Sequence, residues 1–313
     1  MKIIFSDQYC IDIGHHPWRT DKYAEAVRRV KESVPGKALS IVEAPMAEDE
    51  DILRVHTPEF WKKLCEADFS NEEAQLLELP VSRSLIDLFR RMTGGTVRAT
   101  ELALEEGLCV HAGGGFHHGF PNQGTGFCLI NDIAVGVRSV IERGMAGRVA
   151  VIDCDLHQGD GTAWIFRDDP DVSTLSIHQA RNFPDLKRHS TIDIELEDGT
   201  EDGPYLRRLA EGLDRLFDGH GSFDLVHYQA GADPYKGDLL GGLSLSIEGI
   251  RKRDRMVLER TASLGIPTIL TFGGGYAESF DDLVQIHANT VLTALRMAEK
   301  RPHFTIRIPS AIP

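Results

Sequence analysis

Residues 153–160 read Asp153-Cys154-Asp155-Leu156-His157-Gln158-Gly159-Asp160, directly after the apolar run Val149-Ala150-Val151-Ile152. On an extended strand, alternate side chains share a face. Asp153, Asp155 and His157 would then point one way while Cys154 and Leu156 turn back into packing. Two carboxylates and an imidazole at the end of a buried strand repel or titrate unless a cation stands among them. The economical explanation is a bound divalent metal. The bland alternative is a buried polar network without an ion.

Outward from this octet, strand and helix patterns alternate. Strands are expected at 108–110, 148–153, 172–177, 223–228 and 268–272, and a first strand at the N-terminus. Helices are expected at 133–143, 161–167, 203–217, 247–264 and 281–299. Such alternation predicts an α/β chain with a mostly parallel sheet covered on both faces. The first hundred residues read as helical and loop-rich, with helices at 22–34 and 93–106. Thr57 and Pro58 open another helix as N-cap and first residue. With no repeat, low-complexity tract or long linker, the 313 residues are expected to form a single domain over 1–313.

Hydrophobic residues make up 42% of the chain, and no run approaches a membrane span. The N-terminal apolar stretch is too short for a secretory signal. Five cysteines without a Cys-x-x-Cys pair argue against a disulfide framework or thiolate zinc site, and for a reducing, cytoplasmic setting. The net charge of −14 disfavours nucleic acid or an anionic membrane as partner and is compatible with cationic substrates. Oligomeric state is not legible.

Four expected strands end in polar or glycine-rich segments: 109–118 with His117-His118, the Asp153 octet, 229–234 with Asp233, and 272–276 with Tyr276. Ligands of open α/β sheets bind beyond the carboxyl ends of the strands. Four such ends converging on one pocket would be a specific arrangement.

These motifs resemble the zinc-dependent histone deacetylase family, of the arginase/deacetylase fold. The resemblance runs through Val55-His56-Thr57-Pro58, Gly114-Gly115-Phe116-His117-His118, Gly126-Phe127-Cys128, Asn131-Asp132-Ile133-Ala134, the octet, Gly231-Ala232-Asp233 and Gly273-Gly274-Gly275-Tyr276. The stretches Thr93-Gly94-Gly95-Thr96, His157-Gln158-Gly159 and Gly199-Thr200-Glu201-Asp202 look most like the class IV branch and its bacterial relatives. Asp160 departs from that branch, which carries Asn there.

The resemblance implies a three-layer fold and one catalytic Zn²⁺ held by Asp155, His157 and Asp233. Three N/O ligands leave a position open, as in catalytic rather than structural sites. It makes His117 and His118 a proton-transfer pair, backed by Asp153 and Asp160, and Tyr276 an oxyanion donor. An Asp at 160 is expected to make His118 more basic. Phe127 and Phe183 are implied as aromatic walls and the Gly126 carbonyl as acceptor for the substrate amide. Ser176 and Ile177, with Asp153 and the carbonyls of Asp155 and His157, match a structural K⁺ site.

Other residues invite plainer readings. His111 and His178 are expected to be structural, and His15-His16 to lie in a loop that either rims the pocket or is simply solvated. Arg251-Lys252-Arg253-Asp254-Arg255 reads as a solvated helix face.

The implied reaction is hydrolysis of an N-acyl amide, acetyl or longer, on acyl-lysine in proteins or peptides. Acetylpolyamines are the alternative substrate. The class IV likeness favours long acyl chains. A binuclear manganese ureohydrolase of the same fold would need a second acid cluster, for which Asp238 is the nearest candidate. A non-catalytic acyl-lysine-binding or regulatory module would leave the catalytic positions unused.

Overall fold

The computed structural model describes residues 1–36 and 39–300. Within them, eight strands form one sheet in the order β2-β1-β3-β8-β7-β4-β5-β6. They are β1 (Lys2–Phe5), β2 (Ser40–Glu43), β3 (Leu108–His111), β4 (Val149–Asp153), β5 (Val172–Gln179), β6 (Ile192–Leu196), β7 (Leu225–Gln229) and β8 (Thr268–Thr271). Every neighbouring pair is parallel. Strands β3, β4, β5, β7 and β8 are buried throughout. Burial on both faces is why most of their residues are apolar.

The helices are α1 (Lys22–Ser33), α2 (Asp49–Leu53), α3 (Pro58–Glu66), α4 (Asn71–Leu77), α5 (Arg83–Glu106), α6 (Asp132–Glu142), α7 (Asp160–Phe166), α8 (Asp202–Gly219), α9 (Ile247–Ser263) and α10 (Phe280–Lys300). Helices α1, α10, α9 and α8 pack in one series and α5, α6 and α7 in another. With the sheet they make the layered α/β architecture expected of the arginase/deacetylase fold. No helix among the described residues is long and apolar enough to cross a membrane.

The structure adds to and corrects the sequence-based expectation in particular places. Strands β2 and β6 lie at the sheet edges. Only β6 carries a period-two signal, Ile-Asp-Ile-Glu-Leu, and it is short. Helix α5 starts at Arg83, where Ser82 caps it, and not at 93. The Gly94-Gly95 pair does not open the helix but lets it pack closely. A Cβ on Gly94 would stand 2.3 Å from the Pro45 carbonyl oxygen, and one on Gly95 2.6 Å from the Tyr9 hydroxyl. Thr57 does cap α3, its hydroxyl accepting from Phe60 N at 3.2 Å.

The run 251–255 is not a solvated face. Lys252 and Arg255 are exposed, but Arg253 and Asp254 are fully buried. They fall on the stripe of α9 that carries Ile250, Val257 and Leu258 inward. As an adjacent pair of opposite charge they can enter the core together.

The sheet's strand order positions the site. Strands β1–β3 lie to one side and β4–β6 to the other, with β7 and β8 between. Residues His111, Thr271, Gln229, Asp153 and Ser176 form one register row across β3, β8, β7, β4 and β5. The four loops singled out above therefore leave four consecutive strands where the chain order reverses, which opens a crevice.

Burial also makes the fold sensitive to acid. It pushes His56 down to about 4, and His111 and His227 to about 3. These rings stay neutral in the folded chain while the unfolded chain protonates them below about pH 6.5. Stability should thus be unaffected by them above that pH and fall as pH drops toward 4. The slope is at most about 1.4 kcal/mol per pH unit for each ring. Urea unfolding between pH 7 and 5 measures this, and a flat profile would contradict it.

Candidate active site

Strand β4 stops at Asp153, so the alternation that would put Asp153, Asp155 and His157 on one face does not continue. The chain instead turns through two successive side-chain-to-backbone bonds. Asp155 N donates to Asp153 Oδ1 at 3.1 Å, and His157 N donates to Asp155 Oδ1 at 3.0 Å. Such local Asx bonds replace ladder bonds. They send Asp155 and His157 toward the crevice while Asp153 Oδ2 meets His117.

Asp155, His157 and Asp233 come together, all buried, with one ligand atom of each within 4.8 Å of the others. His157 Nδ1 lies 3.2 Å from Asp155 Oδ1 and 3.4 Å from Asp233 Oδ2. Asp233 Oδ1 accepts from Leu156 N at 2.9 Å, but the buried Asp233 Oδ2 has no hydrogen-bond partner. An orphaned buried carboxylate oxygen costs free energy unless a proton or cation meets it. Burial and the Asp155 charge accordingly raise Asp233 to about 7. Burial disfavours His157 protonation, but the nearby carboxylates of Asp155 and Asp233 outweigh it and hold it near 10. The donor set therefore fits a divalent metal. Among the described residues this is the one His/Cys/Asp/Glu group of its kind. Asp238 does not build a second: its carboxylate accepts from Leu240 N at 2.9 Å and Tyr276 N at 2.7 Å.

Gln229, at the end of β7, was not expected. Its Nε2 donates to Asp155 Oδ2 at 2.7 Å, and Gly274 N donates to the same oxygen at 2.9 Å. Its Oε1 accepts from Gly231 N at 2.9 Å, joining the Asp155 and Asp233 segments. Its signal was its place in the polar register row.

The structure brings His117 and His118 to this cluster, with ring centroids 4.1 Å apart. His117 Nδ1 donates to Asp153 Oδ2 at 2.7 Å, and His118 Nδ1 to Asp160 Oδ1 at 2.6 Å. A carboxylate accepts only, so each bond assigns the Nδ1–H tautomer and frees Nε2. Burial would lower His117, but Asp153 and Asp155 outweigh it and hold it at about 9. His118 goes the other way, to about 4. Burial and the His117 charge dominate, and Asp160 raises it by less. Asp160 thus acts in the expected direction but does not make His118 basic.

Tyr276 closes the crevice from the β8 side. Its phenol is raised well above the usual range by burial, then by Asp233 and Asp155. It remains a hydrogen-bond donor at every ordinary pH. Besides Asp238, a fully buried Lys22 braces this loop, its Nζ donating to the carbonyls of Gly273 and Gly275 at 3.3 Å each. Burial lowers Lys22 to about 8. Lys22 sits on the inward face of α1 with Tyr23, Ala26, Val27 and Val30. A lysine on that apolar face was the available clue, and sequence reasoning missed it.

Phe127 lines the pocket beside Tyr276, and Phe183 packs against His118. Phe127 lies 5.6 Å from the Tyr276 ring, and Phe183 4.8 Å from the His118 ring. Gly126 has φ +52°, and a Cβ there would stand 2.6 Å from Phe183 Cε1. Phe127 itself has φ +64°, a costly conformation for an aromatic residue. Its ring lines the pocket. A cavity of about 30 Å³ between Lys22, Phe127, Tyr276 and the His pair has room for about two waters.

His16 rims the pocket, 4.7 Å from Phe127, whereas His15 is exposed. His111 is structural, 2.7 Å from Tyr9 Oη and 2.9 Å from Thr96 Oγ1. His178 is too, 2.9 Å from Ser176 Oγ. Ser176 stands opposite Asp153 in the β4–β5 register, with Ile177 next to it.

The family model described as "Histone deacetylase domain" matches residues 16–292. Histone deacetylase 2 of Arabidopsis thaliana is 32% identical over 292 residues, covering 89% of this chain and 75% of that protein. The acetoin utilization protein AcuC of Bacillus subtilis is 32% identical over 263 residues, 75% of this chain and 66% of that protein. An uncharacterized protein of Picosynechococcus is 41% identical over 234 residues, 75% of this chain and 78% of its own length.

Proposed function

The chain belongs to the histone deacetylase family, and from that premise we propose that it is a zinc-dependent deacylase of acyl-lysine in proteins or peptides. One observation carries the reading: the Asp155–His157–Asp233 group, with an orphaned carboxylate oxygen, shares a crevice with the His117–His118 pair and Tyr276.

Asp155, His157 and Asp233 would hold the ion. When bound, it supplies a Lewis acid that polarises the amide carbonyl and acidifies water. The remaining work falls to the chain's own groups. Phe127 and Phe183 flank the alkyl chain and exclude water, and the Gly126 carbonyl accepts from the amide N–H. His118, neutral through its burial, accepts the proton of the attacking water at Nε2. The Tyr276 hydroxyl donates to the oxyanion that develops. An imidazolium of the pair gives a proton to the leaving nitrogen as the C–N bond breaks. One water is consumed, and a carboxylate and an amine leave. His117 and His118 are oriented for this by Asp153 and Asp160. A structural K⁺ at Asp153, Asp155, His157, Ser176 and Ile177 belongs to the same reading, as does the class IV placement.

The acetylpolyamine alternative fits the acidic chain but not the rim. Three of the five exposed large hydrophobic residues among those described are Leu76, Leu186 and Leu239. The Leu76 carbonyl accepts from Gly126 N, Leu239 N donates to the Tyr276 carbonyl, and Leu186 follows Phe183 in its loop. Exposed leucines on the loops that carry the site suit peptide side chains better than a polycation.

The test is a panel of acyl-lysine peptides and acylpolyamines, varied in acyl length, with zinc-loaded protein. Peptides with apolar residues beside the acyl-lysine should be the best substrates, and chelation should abolish turnover. Faster cleavage of acylpolyamines would reverse the substrate assignment. Hydroxamate binding without cleavage of any acyl amide would point to a binding module.

A further inference from the structure

Arg253 is fully buried on α9, and its guanidinium is divided between two tasks. Nε and Nη2 both donate to Asp254 Oδ1, at 2.9 and 2.7 Å. That bond satisfies the charge, and Tyr228 and Thr290 complete the Asp254 shell at 2.7 and 2.6 Å. Nη1 is left over and points elsewhere. It donates to the carbonyls of Gly231 at 2.6 Å and Cys154 at 3.1 Å. Cys154 immediately precedes Asp155, and Gly231 lies two residues before Asp233. One nitrogen therefore ties together the backbones of both carboxylate-bearing segments.

We propose that Arg253 is a positioning residue for the metal site, its Nη1 clamping the Cys154 and Gly231 carbonyls so that Asp155 and Asp233 face one ion. The inference rests on the metal-site reading of the preceding section. A buried arginine is costly unless paired, and Asp254 alone would meet that need. The second pair of bonds is what the clamp explains. A planar fork holds its donors in fixed directions and reaches a carboxylate from one edge and two carbonyls from another, whereas a lysine's three donors radiate from a single atom.

The test uses the full chain and two probes, Zn²⁺ affinity by chelator competition and the visible d–d spectrum of the Co²⁺-loaded protein. Arg253→Lys keeps the charge beside Asp254 but gives up the clamp. Thr290→Val removes a bond from the same buried network and leaves the clamp alone. Arg253→Lys should weaken Zn²⁺ binding roughly 10- to 100-fold, as for other groups that orient ligands, and alter the Co²⁺ bands. Thr290→Val should lower urea stability with both probes unchanged. Native affinity and spectrum in a folded Arg253→Lys overturn the proposal, as does an equal loss in Thr290→Val. If Arg253→Lys does not fold, Asp254→Asn keeps the guanidinium but loosens its aim. Zn²⁺ should then leave that variant faster than it leaves Thr290→Val, and equal rates overturn the clamp. Failure of the unaltered chain to bind one Zn²⁺ would instead reject the metal site itself.

Discussion

His118→Ala is expected to lower kcat/KM by about 100- to 10,000-fold, the usual range for loss of a positioned acid or base. Zinc content should stay at the wild-type level, because His118 bonds to Asp160 and not to the Asp155–His157–Asp233 group. His117 is the less clean target, since its Nε2 lies 3.7 Å from Asp155 Oδ1 and its removal disturbs a carboxylate of the proposed metal site. Burial and the His117 charge hold His118 near 4, so it is neutral and able to accept a proton through the physiological range. Activity that depends on it is retained above that value and lost as pH falls through it. Steady-state kinetics with metal analysis on the same sample decides the matter. A folded, zinc-loaded His118→Ala with near-native turnover removes the imidazole from the reaction.

Tyr276→Phe should cost about 100- to 1,000-fold in kcat, or roughly 3 to 4 kcal/mol of transition-state stabilisation. The substitution removes one hydroxyl and keeps the ring that meets Phe127. Its backbone supports, Asp238 at Tyr276 N and Lys22 at the Gly273 and Gly275 carbonyls, are also kept. The loss should therefore appear in kcat rather than in KM, because the donor acts on charge that exists only on the way to products. Inhibitors lacking a carbonyl or hydroxamate oxygen should bind the variant as well as wild type. An unchanged kcat would leave Tyr276 as a packing residue.

The residues proposed to carry the reaction were legible as a set because their spacing is local and unusual. The octet, the His pair, Asp233 and Tyr276 each stand at the end of a readable strand. The supports were not legible. Gln229, Asp238, Lys22 and Arg253 are single polar residues bonded to segments distant in the chain, and their local marks, such as the place of Lys22 on the apolar face of α1, do not name those partners. Arg253 sat in a basic run that reads as solvent-facing; only the helical stripe of α9 shows that it turns inward. Asp160 raises His118 as expected, but burial, a tertiary property, outweighs that carboxylate and leaves the ring below the usual imidazole range.

The octet by itself determined that a buried strand ends in groups able to hold a metal, since apolar runs and ligand spacing are written in order along the chain. The alternation of strands and helices likewise determined a parallel, doubly covered sheet. Tertiary structure decided which of the octet's groups meet. Strand β4 ends at Asp153, two Asx bonds redirect the chain, and the insertion of β7 and β8 brings Asp233 and Tyr276 beside it. Those contacts arise from strand order and burial, which depend on packing between segments 77 to 119 residues apart and not on any local pattern.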